Sequence, residues 1–230
     1  MSQSNAEADA DPAVLRISLD AKATVKVGPF ARGGKSRVAV QAADHDFKPA
    51  ATVTPVGLFL PATDELFIYQ VTSKVTSDCL VDRLEQWWTA HKARFAHVTT
   101  LLLNLDNGPE NHSRRSQFMA RLLRFVQQQG VRVRLAYYPP YHSKYNPIER
   151  CWGILENHWN GALLDSLRRG LWLHADDDLE GRASGSGVGN HTLYGRCQAH
   201  QRRDGGRGSP AHAAAPLGEV VCGHRLPLSR

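Results

Sequence analysis

Three acidic residues stand where this chain could assemble a metal-dependent site. Asp20 follows the strand candidate Leu15–Leu19, Asp106 follows the nearly continuous apolar run Val98–Leu105, and Glu149 lies in the string SKYNPIERCW. Three converging carboxylates repel one another and need a cation, and hard oxygen ligands of this kind suit Mg²⁺ or Mn²⁺. Two such ions about 4 Å apart activate an attacking oxygen and stabilise a leaving one in phosphoryl transfer. The sequence permits this geometry without requiring it.

Two of these carboxylates also have a purely structural interpretation. Asp106 opens the triplet Asp-Asn-Gly, which is typical of a turn. Asn146 suits an N-cap and Pro147 the first helical position, so Glu149, three residues after the cap, completes a capping box. A helix start is a rigid mount, so capping and a role in a site are compatible for Glu149.

The hydrophobic pattern predicts an α/β domain over residues 13–165. Strands are expected at 15–19, at 98–105 and at 131–137, a hairpin at 56–60 and 66–71, and helices at 77–95, at 114–129 and from 146, with 23–27 extending the first strand and 28–54 irregular. This order indicates a mixed β-sheet flanked by helices. A right-handed crossover lays the 98–105 strand parallel to and beside the first one. Asp20 and Asp106 then share the carboxyl ends of strands, where open sheets place ligands.

The pattern also predicts which side chains are buried or exposed in two of these elements. Trp87 and Trp88 lie in the helix at 77–95, so at least one of them is expected in the core. Arg132 and Arg134 alternate with apolar residues and are expected on a solvated strand face.

The composition changes sharply near residue 166. All seven lysines lie in residues 1–165, whereas residues 166–230 hold 11 of the 19 glycines and show no periodicity. We expect residues 1–12 to be a disordered tail and residues 166–230 to be irregular. A back-translation of 176–188 in a shifted frame gives a lysine-containing, β-rich peptide. We therefore interpret the segment after about residue 166 as frameshifted.

Two strings resemble the catalytic core of DDE transposases of the mariner-like insertion-sequence group (Rhodopirellula-type): LNLDNGPENH and YYPPYHSKYNPIERCWGILENHW. The segment LRISLDAKATVKVGPFARGGKSR is similar to the strand that carries the first aspartate of that family. The resemblance covers about residues 13–165 and implies a ribonuclease H-like fold. It implies that Asp20, Asp106 and Glu149 bind two Mg²⁺ or Mn²⁺ ions. The implied reaction is hydrolytic nicking at element ends, followed by attack of the freed 3′-hydroxyl on target DNA.

The chain departs from the family pattern in two ways. The 42 residues between Asp106 and Glu149 exceed the usual spacing, and the helix-turn-helix region expected before the first catalytic strand is missing. We therefore interpret the chain as truncated at its N-terminus. The resemblance implies DNA, as element ends and target, and a homodimer or a full-length transposase as partners. Two alternatives stay open: an inactive remnant that at most binds DNA or a full-length transposase, and a stand-alone nuclease.

Several basic residues near these motifs are candidates for DNA contacts. The net charge of +6 permits a polyanionic partner. The candidates are Lys22, Lys35, Arg37, His142 and Lys144, for which solvated charges are the alternative. Gly33–Ser36 resembles part of a phosphate-binding loop, but Pro29 stands where that loop needs its first glycine, so no nucleotide cofactor is expected.

The sequence shows neither a membrane-spanning segment nor an N-terminal signal peptide. No apolar stretch approaches the roughly 18 residues that a membrane span needs. The N-terminal string MSQSNAEADADP is acidic and unlike a signal peptide. We expect a bacterial cytoplasmic protein that is nucleoid-associated when bound to DNA.

Overall fold

The computed structural model describes residues 2–30, 33, 41–43, 48–139, 145–161, 163–164 and 192–196. Its elements in chain order are α1 (Ser2–Ala10), β1 (Val14–Ala21), β2 (Val25–Val27), β3 (Ala51–Leu60), β4 (Glu65–Val71), α2 (Ser77–His91), β5 (Thr100–Leu105), α3 (Ser116–Gln129), β6 (Arg132–Tyr137), α4 (Pro147–Trp159) and β7 (Thr192–Arg196). The order of elements expected between residues 15 and 159 is confirmed, except that residues 23–27 do not extend the first strand: Val25–Val27 forms a separate strand, β2, that pairs with β3. Within the described ranges, no helix is long and apolar enough to cross a membrane.

The strands form one mixed sheet in the order β6-β5-β1-β3-β4-β7, with β2 paired to β3. β1 runs parallel to β5, and β5 runs parallel to β6, whereas β1, β3, β4 and β7 pair antiparallel in turn. The expected neighbourhood of the first strand and the 98–105 strand is therefore confirmed.

Helices cover both faces of this sheet. Leu15, Ile17 and Leu19 of β1 point to one face, where they join the large cluster that α2 and α3 close. The opposite face packs against α4 through a second cluster that contains Phe59 and Trp152. β5 is buried along its whole length, because both of its faces are covered, and this explains its nearly continuous apolar sequence.

The placements indicated for single residues are confirmed. Trp87 and Trp88 are both buried, and Arg132 and Arg134 on β6 are exposed. α3 ends before Gly130, whose φ of 67° provides a left-handed cap of the kind that glycine favours.

The N-terminal segment differs from the expected disordered tail, because residues 2–10 form α1. Ala8 is buried against the sheet with Leu102, and Asp9 accepts two hydrogen bonds of 2.7 Å from Arg16. Asn5 also accepts a 3.0 Å hydrogen bond from Asn104. These polar contacts to β1 and β5 hold a helix that has no apolar stripe, which is why the hydrophobic pattern gives no sign of it.

Two further segments differ from the expectation of irregular structure. β3 begins at Ala51, inside the region 28–54 that the sequence left irregular. β7 lies inside the segment 166–230 and pairs with β4. The other residues of that C-terminal segment from 166 onward lie outside the described part of the chain.

Candidate active site

Asp20 and Asp106 lie side by side at the carboxyl ends of parallel strands. Ser18 of β1 is opposite Asn104 of β5, so Asp20 and Asp106, each two residues further along, reach the same level. Neighbouring strands are about 4.8 Å apart, so the two carboxylates start from adjacent backbone positions. The strand register thus places Asp20 and Asp106 next to each other, as the sequence predicts.

Glu149 approaches this pair from the first turn of α4. Burial raises the pKa of its carboxyl, and the negative charges of Asp20 and Asp106 raise it further. The pKa of Asp20 is also raised, first by burial and then by the charge of Asp106, against the opposing hydrogen bond from Trp152. The charges of two predicted site carboxylates thus contribute to the raised pKa of Glu149, and the charge of Asp106 contributes to that of Asp20.

The turn after β5 holds the Asp106 carboxylate in place. Asn107 has a φ of 65°, in agreement with the predicted turn. The Oδ1 atom of Asp106 accepts hydrogen bonds from the backbone N–H of Gly108 at 3.0 Å and from Nδ2 of Asn111 at 2.9 Å. The turn and a site role therefore coexist. Sequence reasoning missed Asn111, because an Asn in a Pro-Glu-Asn-His string has no distinctive signal.

The capping box expected at the start of α4 is wrong. Asn146 is the N-cap, but its side chain makes no capping hydrogen bond to the helix. Its Oδ1 atom instead accepts a 2.7 Å hydrogen bond from Ser18 Oγ. A residue on β1 thus fixes the start of α4, and the position of Glu149 is set from the sheet.

Trp152 contacts the site directly. Its Nε1–H donates a 2.8 Å hydrogen bond to Oδ2 of Asp20, and both residues are buried. Trp152 lies with Ile148 and Leu155 in the apolar face of α4, and helical periodicity gives no sign of its polar contact. The ring reaches this position because residue 57 is glycine: a Cβ there would be 2.6 Å from Cη2 of Trp152.

Lys22 is a correction to the predicted DNA-contacting residues. Its side chain is only 8% exposed and forms an ion pair with Glu156 of α4, since both lie beside the carboxylates. Its positive charge partly offsets the rise that burial and the neighbouring carboxylates cause in the pKa of Asp20 and of Glu149. Lys22 therefore serves the site as a buried counter-charge. The other candidates, Lys35, Arg37, His142 and Lys144, lie outside the described residues.

The donors at this site are of the kind that a hard divalent ion prefers. They are carboxylate oxygens, and Oδ1 of Asn111 is a buried acceptor without a hydrogen-bond partner in the described structure. Across the residues that the structure describes, no group of three or more His, Cys, Asp or Glu side chains is close enough to hold a metal ion. The chemistry of the donor set fits Mg²⁺ or Mn²⁺.

A comparison with known protein families identifies the family of this chain. Residues 1–172 match the family described as the Rhodopirellula transposase DDE domain. The chain belongs to this family. The match begins before residue 13 and ends after residue 165, so the DDE domain extends slightly beyond the segment recognised from the sequence. No curated protein sequence matches the chain significantly.

A solved structure confirms the fold of this DDE domain. The Mos1 mariner paired-end complex with Mn superposes with a TM-score of 0.51 at 11% identity, over 72% of this chain and 48% of that one. The Mos1 paired-end complex with the left transposon end gives a TM-score of 0.44 at 13% identity, over 71% and 48%. The expected ribonuclease H-like fold is thus confirmed. The chain spans about half the length of these solved chains.

Proposed function

We propose that this chain is the catalytic core of a DNA transposase that nicks and transfers the strands of an insertion element with divalent metal ions. The observation that supports the proposal is that Asp20 and Asp106 end neighbouring parallel strands, with Glu149 in the first turn of the helix α4 that packs on the same sheet. The charges of Asp20 and Asp106 contribute to the raised pKa of Glu149, and the charge of Asp106 contributes to the raised pKa of Asp20. Such an arrangement is costly without a cation and suits phosphoryl transfer with one.

Each carboxylate has a defined task in this proposal. Asp20, Asp106 and Glu149 would hold two Mg²⁺ or Mn²⁺ ions. When bound, the ions activate the attacking oxygen and stabilise the leaving one. Asn111 and the Gly108 N–H fix one oxygen of Asp106, which keeps the direction of that carboxylate constant.

Element ends and target DNA are the proposed partners of this centre. Membership in a transposase family and the net charge of +6 support them. Lys35, Arg37, His142 and Lys144 are the proposed phosphate contacts. A second copy or a full-length transposase would bring two ends together, as the name of the similar Mos1 paired-end complex suggests. The proposed place of action is bacterial DNA in the cytoplasm.

The test is a nicking assay with the full chain. The substrate is a supercoiled plasmid that carries the inverted repeats flanking the gene, incubated with Mg²⁺, with Mn²⁺ or with EDTA. We expect metal-dependent nicks at the element ends and no nicks with Asp106→Asn. The control is Asp82→Asn, the same change on α2 at the other face of the sheet. We expect this variant to keep the nicking activity.

The outcome also separates the alternatives. Metal-independent DNA binding without any nicking would contradict the proposal and favour an inactive remnant. Cleavage of unrelated RNA–DNA hybrids in place of element ends would contradict it in favour of a stand-alone nuclease.

A further inference from the structure

Three contacts tie α4 to one side of β1. They come from every second residue of the strand region, so they share the face that carries Asp20. The pairs are Ser18–Asn146, Asp20–Trp152 and Lys22–Glu156. Because they follow in the same order along both elements, they fix where α4 lies along β1 and prevent it from sliding.

The middle contact bears on the site itself. The indole Nε1–H of Trp152 is a donor only, and it meets Oδ2 of Asp20 at 2.8 Å in the interior. A buried donor that loses its partner is costly, so the bond holds the carboxylate in one orientation. Glu149 lies three residues before Trp152 and therefore on the same side of the helix. One helix thus presents Glu149 and orients Asp20.

The sheet is shaped to admit this indole. Gly57 of β3 is opposite Asp20 across the antiparallel pair. A Cβ at residue 57 would be 2.6 Å from Cη2 and 2.8 Å from Cζ2 of Trp152. The ring therefore occupies space that only glycine leaves open, directly beside the aspartate that it binds.

We infer that Trp152 is a positioning residue that orients the Asp20 carboxylate for the divalent ions through its indole N–H. The inference rests on the proposed function, because it assigns Trp152 a role at that metal centre. Hydrogen-bonded partners of ligating carboxylates typically contribute 10- to 100-fold to metal affinity.

The first measurement tests the hydrogen bond without any metal. In ¹⁵N-labelled full chain, the indole N–H signal of Trp152 is assigned from its loss in Trp152→Phe. Asp20→Ala should shift this signal and accelerate its hydrogen exchange. Glu7→Ala, on the exposed side of α1, should leave it in place. An indole signal that ignores Asp20→Ala would overturn the inference.

The second measurement is calorimetric titration with Mn²⁺. We expect Trp152→Phe to bind Mn²⁺ 10- to 100-fold more weakly than the wild type. Trp159→Phe is the matched control, since it removes the same atoms from the same helix and the same apolar cluster, and it should keep wild-type affinity. In the nicking assay, saturating Mn²⁺ should return the kcat of Trp152→Phe towards the wild-type value.

Site-specific replacement of Trp152 by benzothienylalanine separates the N–H from the ring. This residue keeps two fused rings and lacks the donor, so it should weaken Mn²⁺ binding as Trp152→Phe does. Wild-type affinity with benzothienylalanine would overturn the inference, because ring volume would then be the cause. A wild-type chain that binds no Mn²⁺ would overturn the proposed function together with the inference.

Discussion

Substitution of Gly57 by alanine tests how closely α4 must approach the sheet. The new Cβ would be 2.6 Å from Cη2 of Trp152 and 2.8 Å from Cδ1 of Ile148. Ordinary contacts between such carbons are about 3.5 Å or longer. Since the clash involves two side chains of the same helix, α4 must withdraw by roughly 1 Å, or both side chains must leave their positions.

The expected losses follow from this displacement. Overpacking of a core costs about 1–3 kcal/mol. The lower chain entropy of alanine in the unfolded state offsets about 0.4–1 kcal/mol of that. The middle of these two ranges leaves a net cost of about 1.3 kcal/mol. At about 2–4 °C per kcal/mol for a chain of this size, Tm should fall by roughly 3–5 °C. Catalytic groups must be held within about 0.5 Å, and a 1 Å displacement costs about 100-fold in rate, so kcat/KM for nicking should fall by about that factor.

The assay compares Gly57→Ala with a matched glycine on α4. Gly153 is exposed, and a Cβ there meets nothing within 4 Å. Gly153→Ala should therefore stabilise the helix by up to about 1 kcal/mol and leave nicking unchanged. Wild-type Tm and wild-type nicking in Gly57→Ala would refute the reasoning that this glycine admits α4.

Three further predictions concern residues at the site and beside it. Glu149→Gln should raise the Tm of the metal-free protein at pH 7. Its folded-state pKa lies above the ordinary value of 4.5, so ionisation destabilises the fold as pH rises through that region, and the gain should vanish near pH 4; an equal gain at pH 4 and pH 7 would contradict this. Asn111→Ala should lower nicking by about 10- to 100-fold through a misoriented Asp106, and kinetics indistinguishable from wild type would argue against that role. Lys22→Gln should lower Tm in the absence of metal by removing the counter-charge, yet leave the salt dependence of DNA binding unchanged. If the slope of log K for DNA binding against log [salt] were smaller by about one unit, Lys22 would contact a phosphate after all.

The strands and the two aspartates were predictable because each has a local signal. β5 has a nearly continuous apolar sequence, and apolar residues alternate along Leu15–Leu19 of β1. Asp106 and Asp20 follow these segments directly. Once the crossover rule places β5 beside β1, the two carboxylates must share one end of the sheet. Glu149 was reached differently, through the resemblance of its Asn-Pro-Ile-Glu string to a known family, because nothing in a helix start reveals which sheet edge it faces.

The contacts between α4 and β1 were not predictable, because they join residues more than 120 positions apart. Trp152 has the sequence signature of a core residue and is one, so its bond to Asp20 has no separate signal. The sequence predicts Lys22 as a DNA contact, whereas in the structure Lys22 is buried against α4 and forms an ion pair with Glu156. α1 was missed because polar contacts, and not an apolar stripe, attach it to the sheet.

Anomalous scattering from crystals of the full chain soaked in Mn²⁺ tests the shared metal centre most directly. The account predicts manganese peaks between β1, β5 and α4 that are ligated by carboxylate oxygens of Asp20, Asp106 and Glu149, and no such peaks for Asp106→Asn. Manganese bound elsewhere, with these three side chains contacting none of it, would contradict the account.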